Sequence, residues 1–161
     1  MCGFNKSSDG STGVCRWGAP LGVEVNTLFP DRAALIVVGI HKETMKGIAS
    51  GVCGGHRFGQ SIVLSGGYEN DVDDGCTFEY TGEGGNDFLG SKLQTEDQRL
   101  KGGNLALANC KMHAVPVRVV RRLKSNELRY DGLYKVVAYA EELVRRRLPS
   151  YYPGSLLTFT H

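Results

Sequence analysis

Glycine constrains this chain more than any other residue type. There are 22 glycines in 161 residues. A glycine inside a helix costs roughly 0.5–1 kcal/mol relative to alanine, so glycines at these intervals make long helices improbable and favour short elements joined by tight turns. The apolar runs between them are short and rich in branched residues. Arg32–Gly39 (RAALIVVG) and Ser61–Leu64 (SIVL) read as buried strands, and Thr77–Thr81 (TFEYT) as an alternating one. Val115–Val120 (VPVRVV) and Leu133–Tyr139 (LYKVVAY) are further strands, with Pro116 placing the former at an edge or at a strand start.

Helices are few. Thr95 and Gln98 have capping-box spacing, and Glu96 and Asp97 suit a helix start. Gly102-Gly103 is expected to break that helix and NLALANC to restart it, while EELVRRRLP fits a helix face or a strand. Strands outnumber helices and do not alternate with them. The expected class is therefore α+β, a curved, mostly antiparallel domain. The length fits one domain, residues 14–161, after a mobile polar segment, residues 1–13, that does not read as a signal peptide. No apolar run is long enough to suggest a membrane partner. Five cysteines without a C-x-x-C pair argue for reduced thiols rather than a disulfide framework or a structural zinc site.

Charge is divided unevenly. Residues 69–97 hold nine acids and one base, whereas residues 111–147 hold ten bases and four acids. Either the basic half meets a polyanion or the two halves neutralise each other as solvated faces. Enzyme signatures are incomplete. His41-Lys42-Glu43 has the H-x-E order of zinc deaminases without a P-C-x-x-C partner. GEGGND at Gly82 lacks the third glycine of a dinucleotide fingerprint, and there is no G-x-S-x-G elbow and no P-loop. No catalytic residue, cofactor or metal is implied.

The segment Ser65–Gly85 (SGGYENDVDDGCTFEYTGEGG) combines two tyrosines, bare glycine backbone and carboxylates. If SIVLSGGY and TFEYT are neighbouring strands, Tyr68 and Tyr80 face each other across a slot that takes a planar guest; otherwise both are core residues. Asp71 adds chemistry to the slot. An ionised carboxylate only accepts, so it suits the exocyclic amine of cytosine and repels the carbonyl of thymine or uracil in the same place. Asp73-Asp74-Gly75 is a natural turn.

These residues, followed by DQRLKGGNLALANC, PVRVVR and RYDGLYKVV, resemble the SRA-YDG domain, the SET- and RING-associated family of methylcytosine readers. The triplet that names the family stands at Tyr130-Asp131-Gly132, and VGIHKETMKGI resembles the family's G-[VL]-H…G-I segment. The match runs from about residue 21 to about residue 139, in the family's order. It implies a crescent-shaped, barrel-like sheet that flips 5-methylcytosine out of double-stranded DNA, in a nuclear, non-enzymatic module. It also implies chromatin proteins or other domains of a longer chain as partners. The alternative is the reading part of a modified-cytosine-directed nuclease or glycosylase.

Carried over residue by residue, the resemblance implies that Tyr68 and Tyr80 sandwich the base and that Asp71 accepts from its amine. Gly66, Gly67 and Thr81 would supply backbone contacts and room for the methyl group. Glu83 stands where family members place a small residue near the pocket. The finger that carries Asn-Lys-Arg in vertebrate maintenance-methylation readers reads Ser91-Lys92-Leu93 here, so strict selectivity for hemimethylated CpG is not expected. Met45-Lys46 is the second candidate for insertion into the duplex. Lys42, Arg118, Arg121, Arg122 and Lys124 are the candidates for phosphate contact.

Overall fold

A computed structural model describes residues 17–65, 76–82, 102–145 and 151–161. Its elements in chain order are β1 (Leu28–Phe29), α1 (Arg32–Val37), β2 (Ile48–Cys53), β3 (His56–Leu64), β4 (Thr77–Thr81), α2 (Gly102–His113), β5 (Val117–Arg122), β6 (Leu128–Arg145) and β7 (Tyr151–Thr160). The strands form one sheet in the order β2-β3-β5-β6-β7-β4, with β1 on β6. Every described pairing is antiparallel except β3–β5. The sheet is mostly strand with few short helices, as expected, and its path is open rather than closed.

The long strand β6 makes the sheet curve. Its first part, to Tyr134, pairs with β5, and from Lys135 onward it pairs with β7. Eighteen residues at about 3.3 Å each span roughly 60 Å, too far for a flat strand in a small domain. Bulges opposite Val119/Val120 and at Val136/Ala138 add the local twist that turns one half of the sheet against the other.

Side-chain alternation divides the core in two. Ile62 and Leu64 face one cluster and Val63 the other; Val117 and Val119 join the first and Val120 the second. The larger cluster packs Phe58, Phe78, Leu107, Tyr134, Leu157 and Phe159 between the two halves of the sheet and α2. The smaller one packs Phe29, Leu35, Ile40, Leu128 and Tyr130 beneath α1. The SIVL run is apolar throughout because β3 is buried on both faces.

Two expectations are corrected. The run RAALIVVG is mostly helix, not strand. Asp31 caps it, its Oδ1 accepting from the Ala34 N–H at 2.9 Å, and Gly39 at φ +75° follows its end. Only Leu35 of this helix is fully buried and Val37 is exposed, a one-sided pattern that a buried strand would not show. The second correction concerns thiols. Cys76 and Cys110 are free, but Cys53 is disulfide-bonded. Burial pushes the Cys110 thiol up to about 12, so it stays protonated and donates to the Gly59 carbonyl.

The remaining readings fall out more simply. TFEYT is β4 to the residue, and Pro116 immediately precedes β5, an interior strand, so its position marks a strand start and not an edge. EELVRRRLP is strand as far as Arg145. The segment 1–13 and the helix expected after Thr95 lie outside the described residues.

Candidate nucleic-acid interface

The site begins where β4 crosses toward the start of β2. Tyr80 is half-buried on β4, with its ring edge-on to Phe159 at 6.2 Å. The tyrosine hydroxyl lies against Gly47. A Cβ built on Gly47 would stand 2.5 Å from the Tyr80 Oη, so only glycine permits this approach. The Gly47 carbonyl is in turn fixed by the Val63 N–H at 2.8 Å. Thr81 and Gly82 follow Tyr80, and Gly82 lies against the buried Asn104 of α2, whose Oδ1 a Cβ at Gly82 would strike. The exit of β4 is thus braced by a helix on one side and by the chain entering β2 on the other.

The loop leading to Gly47 is held by an interior clamp. His41 is fully buried. Its Nε2 lies 3.0 Å from the Lys46 carbonyl and its Nδ1 2.8 Å from Ser61 Oγ. A carbonyl only accepts, so Nε2 carries the proton and Nδ1 accepts from the Ser61 hydroxyl. Arg32 of α1 donates to the same Lys46 carbonyl at 2.7 Å and approaches the Glu43 carbonyl at 3.4 Å. Burial holds His41 down to about 4, which keeps the ring neutral in this arrangement. The arginine is also depressed, first by burial and then by the charge of Arg122. Between these fixed ends, Lys42, Met45 and Lys46 are exposed, Met45 at 81%.

This geometry reassigns several residues. The H-x-E order at His41 has no metal-binding sense, because the ring is committed to Ser61 and Lys46, and no group of three His, Cys, Asp or Glu residues suited to a metal occurs among the described residues. Arg118 is 6% exposed and donates to the Gly18 carbonyl at 2.7 Å and the Gly39 carbonyl at 3.2 Å, an interior position. Arg121 is turned to Asp131 at 2.7 Å and over the Phe78 ring. Arg122 lies beside Arg32, and Lys124 is exposed in the turn before β6. β3 and β4 are not paired neighbours, since β4 pairs with β7. Gly66, Gly67, Tyr68, Asp71, Glu83, Ser91, Lys92 and Leu93 lie outside the described residues. Of the expected pocket, the structure therefore places Tyr80 and Thr81.

Sequence reasoning passed over Gly47, Arg32 and Asn104. The signal for Gly47 was the quoted G-I pair that ends VGIHKETMKGI. Nothing local marks Arg32 or Asn104, whose partners are distant in sequence.

Residues 16–149 match the SAD/SRA domain. The chain belongs to the SAD/SRA family. The Arabidopsis thaliana histone-lysine N-methyltransferase family member SUVH9 is 42% identical over 130 residues, which cover 74% of this chain and 20% of that protein. The Rattus norvegicus E3 ubiquitin-protein ligase UHRF1 is 39% identical over 147 residues, covering 75% of this chain and 19% of UHRF1. The chain thus spans about a fifth of the length of these curated relatives. Among solved structures, the SUVH5 SRA domain in complex with methylated CHH DNA superposes with a TM-score of 0.75 and 39% identity, over 90% of this chain and 92% of that one. The SUVH5 SRA domain has also been solved with hemimethylated CG, fully methylated CG and fully hydroxymethylated CG DNA. An SRA domain's sheet, with Gly47, Tyr80 and Thr81 gathered at one end, is what this sequence builds.

Proposed function

We propose that this chain reads 5-methylcytosine in duplex DNA without acting on it, by receiving the flipped base in a pocket to which Tyr80 and Thr81 contribute. The observation that carries this reading is the close superposition, over nearly the whole of both chains, with an SRA domain in complex with methylated DNA. The pocket then follows from chemistry. Flipping costs a few kcal/mol of stacking and pairing. Stacking on Tyr68 and Tyr80 offsets about 1–3 kcal/mol per base, and Asp71 adds an acceptor that cytosine satisfies and thymine does not. Gly66, Gly67 and Thr81 supply backbone contacts, with Glu83 beside them. Met45 and Lys46, on their clamped loop, are placed to fill the vacated stack, and Ser91-Lys92-Leu93 is too short and too apolar to inspect the opposite strand. Lys42, Lys46, Arg122 and Lys124 are the phosphate contacts that remain once the buried Arg118 and the Asp131-bound Arg121 are set aside. The same reading places the protein in the nucleus, in or beside larger chromatin proteins.

Competition binding at fixed salt tests it. Duplexes carrying hemimethylated CpG, fully methylated CpG and methylated CHH are expected to compete several-fold better than the unmethylated duplex and within a few-fold of one another. Equal competition by all four overturns the proposal. A sharp preference for the hemimethylated duplex overturns the reading of the finger alone. Incubation of methylated duplex with the chain and Mg²⁺ is expected to leave both strands intact.

A further inference from the structure

Each member of the triplet Tyr130-Asp131-Gly132 has a structural explanation. Tyr130 is buried in the smaller core cluster. Gly132 sits at φ +107°, opposite the bulge where Val119 pairs with Gly132 and Val120 with Tyr130, so that Asp131 is skipped by the ladder. The Asp131 carboxylate, 6% exposed, takes Arg121 Nε on Oδ2 at 2.7 Å and Arg129 Nε on Oδ1 at 2.6 Å. These groups line one open cleft of about 530 Å³, together with Cys76, Tyr134 and His161.

The position of Arg121 is what gives the cluster a reach beyond itself. In the parallel β3–β5 pair, Arg121 is the partner of Leu64, the last residue of β3. Its guanidinium carbon also lies 5.8 Å from the centre of the Phe78 ring on β4. Cys76, at the threshold of β4, lines the same cleft, and its carbonyl accepts from the His161 N–H at 2.9 Å. The His161 ring packs edge-on against Tyr134 at 5.1 Å and passes over Gly132, where a Cβ would stand 3.4 Å from its Nε2. The end of β3 and the start of β4 therefore meet at one arginine whose direction is set by one buried carboxylate. Between those two points in the sequence stand Gly66, Gly67, Tyr68 and Asp71.

We propose that Asp131, acting through Arg121 and Arg129, is a positioning residue for base recognition. It fixes the two ends of the chain from Leu64 to Cys76 relative to each other without touching DNA. This rests on the reading of that chain as the base-contacting one. The charge pair is suited to the task because a planar guanidinium held at Nε by a carboxylate has one orientation, which a lysine would not keep.

The test uses Asp131→Asn, which keeps the volume and removes the charge, and Arg129→Lys, which keeps the charge and loses the Nε donor at a more exposed site. Methylated and unmethylated duplexes are titrated at one salt concentration and at a temperature where circular dichroism shows each variant folded. The ratio of the two affinities is expected to fall five- to tenfold in Asp131→Asn and two- to threefold in Arg129→Lys, with the slope of log affinity against log salt unchanged. Cys110→Ala, which loosens the core under α2, serves as a stability-matched control and is expected to keep the wild-type ratio. A merely structural role would move Asp131→Asn and Cys110→Ala alike. If wild type shows no preference, the functional reading fails. If wild type prefers methylated DNA and the ratio is kept in folded Asp131→Asn, or in Arg129→Lys should Asp131→Asn not fold, the positioning role is overturned. A fall in affinity for both duplexes by the same factor overturns it as well.

Discussion

Two parts of this molecule are held by arginine, and they are held differently. Before β2, Arg32 and a neutral imidazole converge on one backbone carbonyl, that of Lys46. At the start of β6, Arg121 and Arg129 converge on one carboxylate, that of Asp131. The first clamp fixes main chain and leaves the exposed side chains of Met45 and Lys46 free to meet a partner. The second fixes side chains and, through them, the spacing of strands. A clamp on a carbonyl needs donors only, and Nε2 donates in either protonation state, so its weak point is the cost of placing a charge on a buried ring. A clamp on a carboxylate needs charge balance, so its weak point is the loss of a partner.

The largest expected difference between the two is toward acid. His41 has an ordinary value of 6.5 when the chain is unfolded and about 4 in the fold. Between those values the unfolded chain binds a proton that the native state refuses, so stability falls as pH drops from 6.5 toward 4 and the loss then levels off. A shift of that size amounts to about 3 kcal/mol. Urea unfolding at pH 7, 5.5 and 4.5 measures it. His41→Gln, which keeps a donor and cannot titrate, is expected to be less stable at pH 7 and to show a flatter pH dependence, because the carboxylates common to both proteins cancel in the difference. Parallel curves for wild type and variant would show that the ring is not buried neutral.

The next effect separates interior arginines from surface ones. Arg118→Gln leaves the Gly18 and Gly39 carbonyls short of their donors, and its expected cost is about 2 kcal/mol of stability. Its DNA affinity, measured on folded protein, is expected to keep the wild-type salt slope. Arg122→Gln is expected to do the reverse, lowering the slope with little change in the urea midpoint. A reduced slope in Arg118→Gln would return that residue to the DNA surface.

How much of this was legible follows from the range of each interaction. Alternation showed TFEYT as a strand because one short run contains the whole signal. The helix Arg32–Val37 was hidden by its composition: Ile36 and Val37 suggest a strand, and only the Asp31 cap and Gly39 beyond the end mark a helix. The ambiguous EELVRRRLP turned out to be strand as far as Arg145 because β6 runs on to pair with β7, a partner no local pattern names. In the candidate site, Tyr80 and Thr81 were named through the family resemblance. The Gly47–Tyr80 approach and the Arg32–Lys46 bond were not, since they join residues that 33 positions and 14 positions of chain separate. The burial of Arg118 was hidden for a related reason. Charge in a sequence looks the same whether the side chain meets solvent or an interior carbonyl.

A smaller effect sharpens the first clamp. Gly47→Ala introduces a methyl group against the Tyr80 hydroxyl, so the ring must tilt or the loop must retreat. Stability is expected to change by less than about 1 kcal/mol, since Tyr80 is only half-buried and can give way. Affinity for a methylated duplex is expected to fall about tenfold, the equivalent of about 1.4 kcal/mol, with a smaller fall for the unmethylated one. Gly47→Ala combined with Tyr80→Phe, which removes the hydroxyl that the methyl meets, is expected to recover part of the loss. If the double variant is no better than the single one, the close approach does not govern the pocket.

The smallest effect concerns the exposed end of the same loop. Lys42 and Lys46 are solvent-facing, and neither side chain is needed for the clamp, which uses the backbone of residue 46. Each lysine that truly faces a phosphate lowers the slope of log affinity against log salt by about 0.9 when it is replaced by glutamine. The expected change in affinity at one moderate salt concentration is only a few-fold, and it applies equally to methylated and unmethylated duplexes, because a phosphate carries no base identity. This separates the loop's two parts. Replacing Lys42 or Lys46 should leave the methylation ratio intact, whereas Met45→Ala, if Met45 fills the stack, should lower affinity for methylated duplex and leave the salt slope alone. A slope that changes with Met45 and not with the lysines would mean that the loop meets DNA by a different edge from the one its clamp presents.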